Sequence, residues 1–510
     1  MSGRKLRWAL VFTFLVFFWV NLPLQAEKMY EAWINRFDGY DHNDDLPSAL
    51  LLDGNGNLFV TGNTRSTATG IDFLTIKYSP QGAVLWQAIY NGQANDHDWP
   101  RNLALDQSGN LYVSGGIGTG VTDYVYGLIK YNPSGDTLWV KVLPGQPGFV
   151  LDMVLDDAGN IYLTGPSGTL KFDPNGNQVW FSTQSGRRMA WHNSGFVYLT
   201  AWNLYDLPQG VTKKLSDSSG DLIWQYSAGG TDSELDNNGN IYVTGVYNNS
   251  YRTLKFSPSG TLLWTRFYSY ADDGVVGSQS KAVGIDAFGQ PVITGWSYSG
   301  TVGNDFATIK YSASGESLWT SRLDGPAQGN DEAARIVLDN SGNAFVTGFS
   351  TGNFSNYDYT TAKYNSSGQQ LWVMRYSNAG EDRAEDLAVD NTGNVYATGF
   401  SQAPNYLVDW VTIKYSPCTP SVPVLGDANA DLTISLADII ATVNYIFNKP
   451  GFPACTSNSN FCWISESICR GDWNADQTVT LTDVVRSVNY LMNRPGGPWN
   501  PNSIVGCCLP

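Results

Sequence analysis

Apolar and polar positions alternate with a period of two over most of the chain, in short runs separated by turns rich in Gly, Asn and Asp. That is the pattern of β-strands with one face buried. Two runs recur. The first reads Leu-Asp-x-x-Gly-Asn-x-Tyr-Val-Thr-Gly and starts at Asp53, Asp106, Asp156, Asp236, Asp286, Asp339 and Asp390, with a divergent copy at His192 that keeps Gly195, Tyr198 and Thr200. The second, Thr-Ile-Lys-Tyr-x-x-x-Gly-x-x-Leu-Trp, sets lysines at 77, 130, 171, 214, 255, 310, 363 and 414 and tryptophans at 86, 139, 180, 224, 264, 319 and 372. Copies follow one another at intervals of 36 to 53 residues. In Asp-x-x-Gly-Asn the glycine can take positive φ and the aspartate can hold the turn backbone, so each copy marks a hairpin.

A strand-rich unit of this size cannot bury both faces alone, so the copies must stack, and four strands per unit make the blade of a β-propeller. A parallel β-helix, with far shorter repeats, fits less well. Eight lysine strands are followed by only seven tryptophan strands. The missing one stands at the other end, where Ala32-Trp33-Ile34-Asn35-Arg36-Phe37 resembles Leu318-Trp319-Thr320-Ser321-Arg322-Leu323. The chain is thus expected to be all-β, an eight-bladed β-propeller over residues 27–417 closed by an N-terminal strand, which hides two sheet edges; seven blades is the alternative. Through Gly-Asn-x-Tyr-Val-Thr-Gly and Thr-Ile-Lys-Tyr the repeat resembles the secreted bacterial β-propeller repeat family, SBBP. That resemblance implies a propeller, commonly of seven blades, in an extracellular setting, and no single activity.

The repeated Trp, Tyr and Lys read as structural: Trp to pack between neighbouring blades, Lys to pair with turn carboxylates. Acidic residues where the Trp strand leads into the next blade are more suggestive: Asp41, Asp44 and Asp45; Asp96 and Asp98; Asp272 and Asp273; Asp331 and Glu332; Glu381 and Asp382. A second set precedes the lysine strand, at Asp72, Asp123, Asp305, Asp358 and Asp409, each followed by an aromatic: Phe73, Tyr124, Phe306, Tyr359 and Trp410. Both connections emerge on one face of a propeller. That face is expected to carry carboxylates and aromatic platforms suited to cations or sugars, unless each Asp caps its own turn. Gly-x-x-x-Trp also resembles the docking motif of quinoprotein dehydrogenases, but the only adjacent cysteines, Cys507 and Cys508, lie outside the ring.

Charge and composition narrow the field. A net charge of −16 argues against a nucleic-acid partner, and three histidines leave little for a His-rich zinc site. Arg4, Lys5 and Arg7 precede an apolar stretch from Trp8 to Val20 and a small residue at Ala26, so residues 1–26 read as a signal peptide and the protein as secreted or cell-surface. No later apolar stretch is long enough to span a bilayer.

After a connector at 418–425 the composition changes. Asp427, Asn429, Asp431, Thr433, Ser435 and Asp438 recur 45 residues later as Asp472, Asn474, Asp476, Thr478, Thr480 and Asp483, each set followed by a helix-like apolar run. Side-chain oxygens at positions 1, 3, 5 and 12 with a backbone carbonyl at 7 surround a Ca²⁺ ion with hard donors, so two calcium ions are expected. Both loops lack Gly at position 6 and end in Asp rather than Glu. The duplicated loops at 426–510 resemble the dockerin type I module, a small α-helical unit with two calcium loops that docks to cohesins on scaffold or surface proteins. By that resemblance Leu436, Ala437, Leu481 and Thr482 contact the partner. All six cysteines, Cys418, Cys455, Cys462, Cys469, Cys507 and Cys508, fall here and read as disulfides of open connectivity, with zinc the weaker alternative. The whole reads as a secreted, calcium-binding attachment protein whose propeller presents a carbohydrate- or protein-binding face. The alternative is a glycoside hydrolase or polysaccharide lyase, since dockerins commonly accompany such enzymes.

Overall fold

In the computed structural model the described residues are 29–417, apart from 40, 121–122, 203–209, 270–276, 299–302, 353–355, 379 and 404–406. The expected signal segment, the connector, the two calcium loops with their recognition residues, every cysteine, and Asp272 with Asp273 all lie outside them.

The described residues form eight four-stranded antiparallel sheets. In seven of them the strands follow chain order, beginning with Leu46–Leu52, Leu58–Ser66, Gly70–Tyr78 and Val84–Tyr90 as blade 1. Blades 2 to 7 span 99–147, 152–182, 188–226, 232–268, 278–323 and 332–376. In blade 8, Asp382–Val389, Val395–Gln402 and Val408–Pro417 are completed by Met29–Phe37, which pairs antiparallel with Val408–Pro417. The eight-blade count and the closing N-terminal strand are as expected; a β-helix and a seven-bladed ring are not.

Each repeated residue has a place in this geometry. Asp53 shows the hairpin device: its Oδ1 accepts the N–H groups of Asn55 and Asn57 while Gly56 takes φ 78°. The threonine of Val-Thr-Gly meets the threonine of the lysine strand inside the sheet, as in Thr347 to Thr361 at 2.8 Å and Thr398 to Thr412 at 3.0 Å. Eight apolar clusters hold the ring, one at each junction between neighbouring blades. The cluster joining blades 8 and 1, with Trp410, Tyr396, Leu74 and Ile76, is built like the rest.

The tryptophans do pack between blades, and the next blade's turn glycine makes room for them. A Cβ on Gly135 would stand 2.7 Å from the Trp86 ring, and one on Gly82 would stand 2.9 Å from Trp33. The indole N–H groups of Trp33 and Trp86 donate to the carbonyls of Pro80 and Pro133 in those turns. Lysines pair with turn carboxylates in blades 2, 3, 5 and 6, with Lys310 to Asp286 at 2.8 Å the shortest. Lys77, Lys214 and Lys414 donate instead to proline carbonyls of the following blade.

Candidate binding site in the central channel

The described residues do not form the expected face of carboxylates and aromatic platforms. Phe73, Phe306, Tyr359 and Trp410 are fully buried in the inter-blade clusters, and only Tyr124 is partly exposed, packed on Phe149. The reason is strand geometry: the residue after each Asp already lies within the third strand, on the side turned toward the next blade. Several of the acids are also consumed locally. Asp45, Asp98, Asp331 and Asp382 have no exposed surface. They tie down their own loops: Asp98 accepts from the N–H of Gly92 at 2.6 Å and Gly118 at 2.9 Å, and Asp331 from those of Gly325 and Thr351. Asp45 does the same for Gly39, and Asp382 for Asn378. Burial pushes Asp98, Asp331 and Asp382 up to about 6 against those donors. In the second set, Asp305 and Asp409 pair with Arg322 and Arg36.

One group of three carboxylates among the described residues is spaced to hold a metal ion: Asp305, Asp324 and Asp331. Two of its members already have partners, since Arg322 occupies Asp305 and two backbone N–H groups occupy Asp331. It reads as a loop staple.

What remains open is the axis of the ring. The eight innermost strands enclose a channel of about 790 Å³ lined by Arg101, Asp152, Arg188, Lys281, Arg335, Arg383, Glu385 and Asp386 among others. The register fixes one layer of it. Opposite the Val-Thr-Gly threonine or its serine counterpart stand Ala49, Asn102, Asp152, Arg188, Asp232, Ala282, Arg335 and Asp386, in blade order. Charges alternate where they occur. Arg188 reaches Asp232 at 3.4 Å, and Arg335 reaches Asp386 at 3.1 Å. Asp152, Asp232 and Asp386 each accept the backbone N–H of the next blade, from Met189, Val283 and Leu50. Each aspartate thus links its own blade to the following one across the channel wall.

Burial pushes the Asp152 carboxyl up in spite of Arg188, and it also raises Glu385. Asp386 and, more weakly, Asp232 hold the proton of Arg335 more firmly than usual. Arg101 moves the other way, because burial and the nearby Arg187 and Arg188 all disfavour its charge. A channel with both signs of charge, partly paired, suits a polar ligand that offers donors and acceptors together.

The sequence-level reading passed over these residues. Their signal was present: in the innermost strand, corresponding positions of the repeat differ in charge from blade to blade. A position needed only for folding has no cause to alternate between Asp, Arg and Ala.

No family model matches the chain. An uncharacterised WD repeat-containing protein of Acanthamoeba polyphaga mimivirus is 24% identical over 480 residues, covering 71% of this chain and 33% of that protein. The chain therefore spans about a third of that relative's length. Among solved structures, BamB from Moraxella catarrhalis is similar with a TM-score of 0.45 at 14% identity, covering 76% of this chain and 100% of that one. The quinohemoprotein alcohol dehydrogenase ADHIIG from Pseudomonas putida HK5 gives a TM-score of 0.49 at 11% identity, covering 82% and 81%. No helix among the described residues is long and apolar enough to cross a membrane. By its own strand order and closure, the described chain is an eight-bladed β-propeller with a charged channel.

Proposed function

We propose that the chain is an exported, calcium-dependent attachment protein. The propeller carries the ligand-binding surface, and the C-terminal segment docks to a cohesin-bearing scaffold or surface protein. The observation that carries this reading is the seam of the ring. Met29 pairs with Pro417, so all eight blades are complete before the duplicated acidic loops begin. The ring needs no strand from beyond Pro417. The two sets of oxygen donors in the segment that follows, led by Asp427 and Asp472, have the spacing of calcium loops, and their dockerin-like form points to a cohesin. The SBBP-like repeat agrees with an extracellular setting. The partly paired channel agrees with binding.

The test is a calcium titration of the chelator-stripped full chain, followed by capture on an immobilised type I cohesin. Two ions per chain and calcium-dependent capture are expected, and Asp427→Ala with Asp472→Ala should abolish both. A wild-type chain that takes up no calcium would sink the reading. Reducing ends released from a polysaccharide by the same protein would replace it with the hydrolase or lyase alternative.

A further inference from the structure

Away from the channel's charged layer, a second cavity of about 480 Å³ opens where the innermost strands of blades 3, 4 and 5 run into their hairpin turns. Its walls depart from the repeat at three positions. Seven blades place Leu, Ile or Val before the turn aspartate, at residues 52, 105, 155, 235, 285, 338 and 389; blade 4 places Trp191 there. The same seven blades begin the turn with Asp, and blade 4 begins it with His192. One position earlier in the strand, Leu51, Ala104, Val154, Ala190, Gly284, Val337 and Ala388 are all uncharged; blade 5 carries Glu234. Trp191, His192 and Glu234 all line this one cavity.

The fold does not require these residues, because seven blades reach the same backbone without each of them. His192 keeps part of the structural role of the aspartate it replaces. Its ring lies against Gly239 of the next turn, as Asp236 lies against Gly289, and its Nδ1 meets Ser194 Oγ at 2.7 Å. Trp191 packs in part on the apolar cluster between blades 3 and 4, as the leucine of the sister blades would. Its indole N–H is covered and finds no acceptor among the described residues, a desolvation cost that the leucine would not incur.

The chemistry of the walls narrows the ligand. Glu234, Asp157 and Asp236 line the cavity and no Lys or Arg does, so phosphates and carboxylates are repelled. Asn193 and Asn237 project exposed amides at the rim. Glu234 is exposed to the cavity and offers its carboxylate oxygens there, and the surrounding strands, and then the neighbouring Asp232, raise its pKa. An organic cation would use the carboxylates and the indole face but would leave the amide donors idle. Hydroxyl groups use donors and acceptors alike, and a pyranose ring offers a C–H face to an aromatic.

We propose that this channel mouth is a binding site for a neutral saccharide, with Trp191 as its platform and Glu234, Asn193 and Asn237 as its hydrogen-bonding groups. The proposal rests on the reading of the propeller as the ligand-carrying part and names the site and ligand class within it. The test is isothermal titration of the full chain at pH 7 with cellotetraose, xylotetraose and mannotetraose, and with tetramethylammonium as the cationic control. One saccharide site per chain is expected. Trp191→Leu combined with Glu234→Val restores the residues of the sister blades and should weaken it at least tenfold without lowering the thermal melt. Asn237→Ala, at an exposed turn position, should weaken it severalfold and keeps the test open if the double variant fails to fold. Saccharide binding of wild-type strength in both folded variants would overturn the site and leave the ring as a ligand carrier elsewhere. Silence with all three tetraoses would overturn it too, and retained cohesin capture would show that the attachment reading survives. Binding of tetramethylammonium in place of the saccharides would overturn the ligand class.

Discussion

Lys214 shows what a single departure from the repeat costs. In blades 2, 3, 5 and 6 the corresponding lysine reaches a turn carboxylate, but in blade 4 that carboxylate is His192. Lys214 is 5% exposed and sits 3.6 Å above the Phe196 ring, with the Pro258 carbonyl as acceptor, and burial lowers its pKa. His192→Asp returns the missing counter-ion and should stabilise the ring by about 1 kcal/mol, read as a higher midpoint in urea. A lower midpoint would mean that the imidazole packing on Gly239 outweighs the ion pair. The buried loop carboxylates give a pH signature of opposite sense to an exposed salt bridge. Asp98 is raised from its ordinary range to about 6 by burial, so between about 4 and about 6 the native state binds more protons than the unfolded one. Its contribution therefore grows as pH falls through that window and is smallest above it. The difference in melting temperature between wild type and Asp98→Asn should accordingly shift against wild type from pH 4 to pH 6 and stay level beyond. A shift in wild type's favour would show that the two backbone N–H donors outweigh desolvation. These acids were visible in the sequence as a repeated pattern but not as buried, because burial depends on how far each loop folds back over its own strand end.

At the scale of the element, the unit of assembly is one blade's turn laid on its neighbour's tryptophan. Gly135 has φ 92°, and any Cβ there would meet the Trp86 ring at 2.7 Å. Gly135→Ala should cost about 1–3 kcal/mol, measured by urea unfolding, whereas Gly54→Ala, with nothing within 4 Å of the added carbon, should cost far less. Equal losses would deny the turn its packing role. Trp372 is the instructive exception. It is buried, yet its indole N–H has no acceptor among the described residues, because in blade 8 the third and fourth strands come from opposite ends of the described chain and are not joined by a turn like those that receive Trp33 and Trp86. The strands, turns and tryptophan stacking were all legible, since each repeats a local pattern whose physics is the same in every copy. The direction of Phe73, Phe306, Tyr359 and Trp410 was misread from the acid beside them. A two-residue motif carries no information on which flank of a twisted sheet faces the neighbouring blade.

For the whole molecule, blade number and closure followed from counting, whereas the channel did not. Its alternating charges, Asp152, Arg188, Asp232, Arg335 and Asp386, are distant in sequence and become neighbours only once the ring is closed. Arg335→Met should leave Asp386 facing the channel without its ion pair while its acceptance of the Leu50 N–H remains. A loss of about 1–3 kcal/mol in urea is expected, and no loss would mean that water in the channel solvates the carboxylate as well as the guanidinium does. The seam has a mechanical corollary. Val408–Pro417, the last described strand, is flanked by Val395–Gln402 on one side and Met29–Phe37 on the other, with eight paired positions along each. A tether attached beyond Pro417 would pull along the axis of a strand gripped from both sides. Its hydrogen bonds would then be loaded in parallel, in shear, rather than peeled one after another from an edge. A ring hung by that strand is suited to holding a ligand under flow.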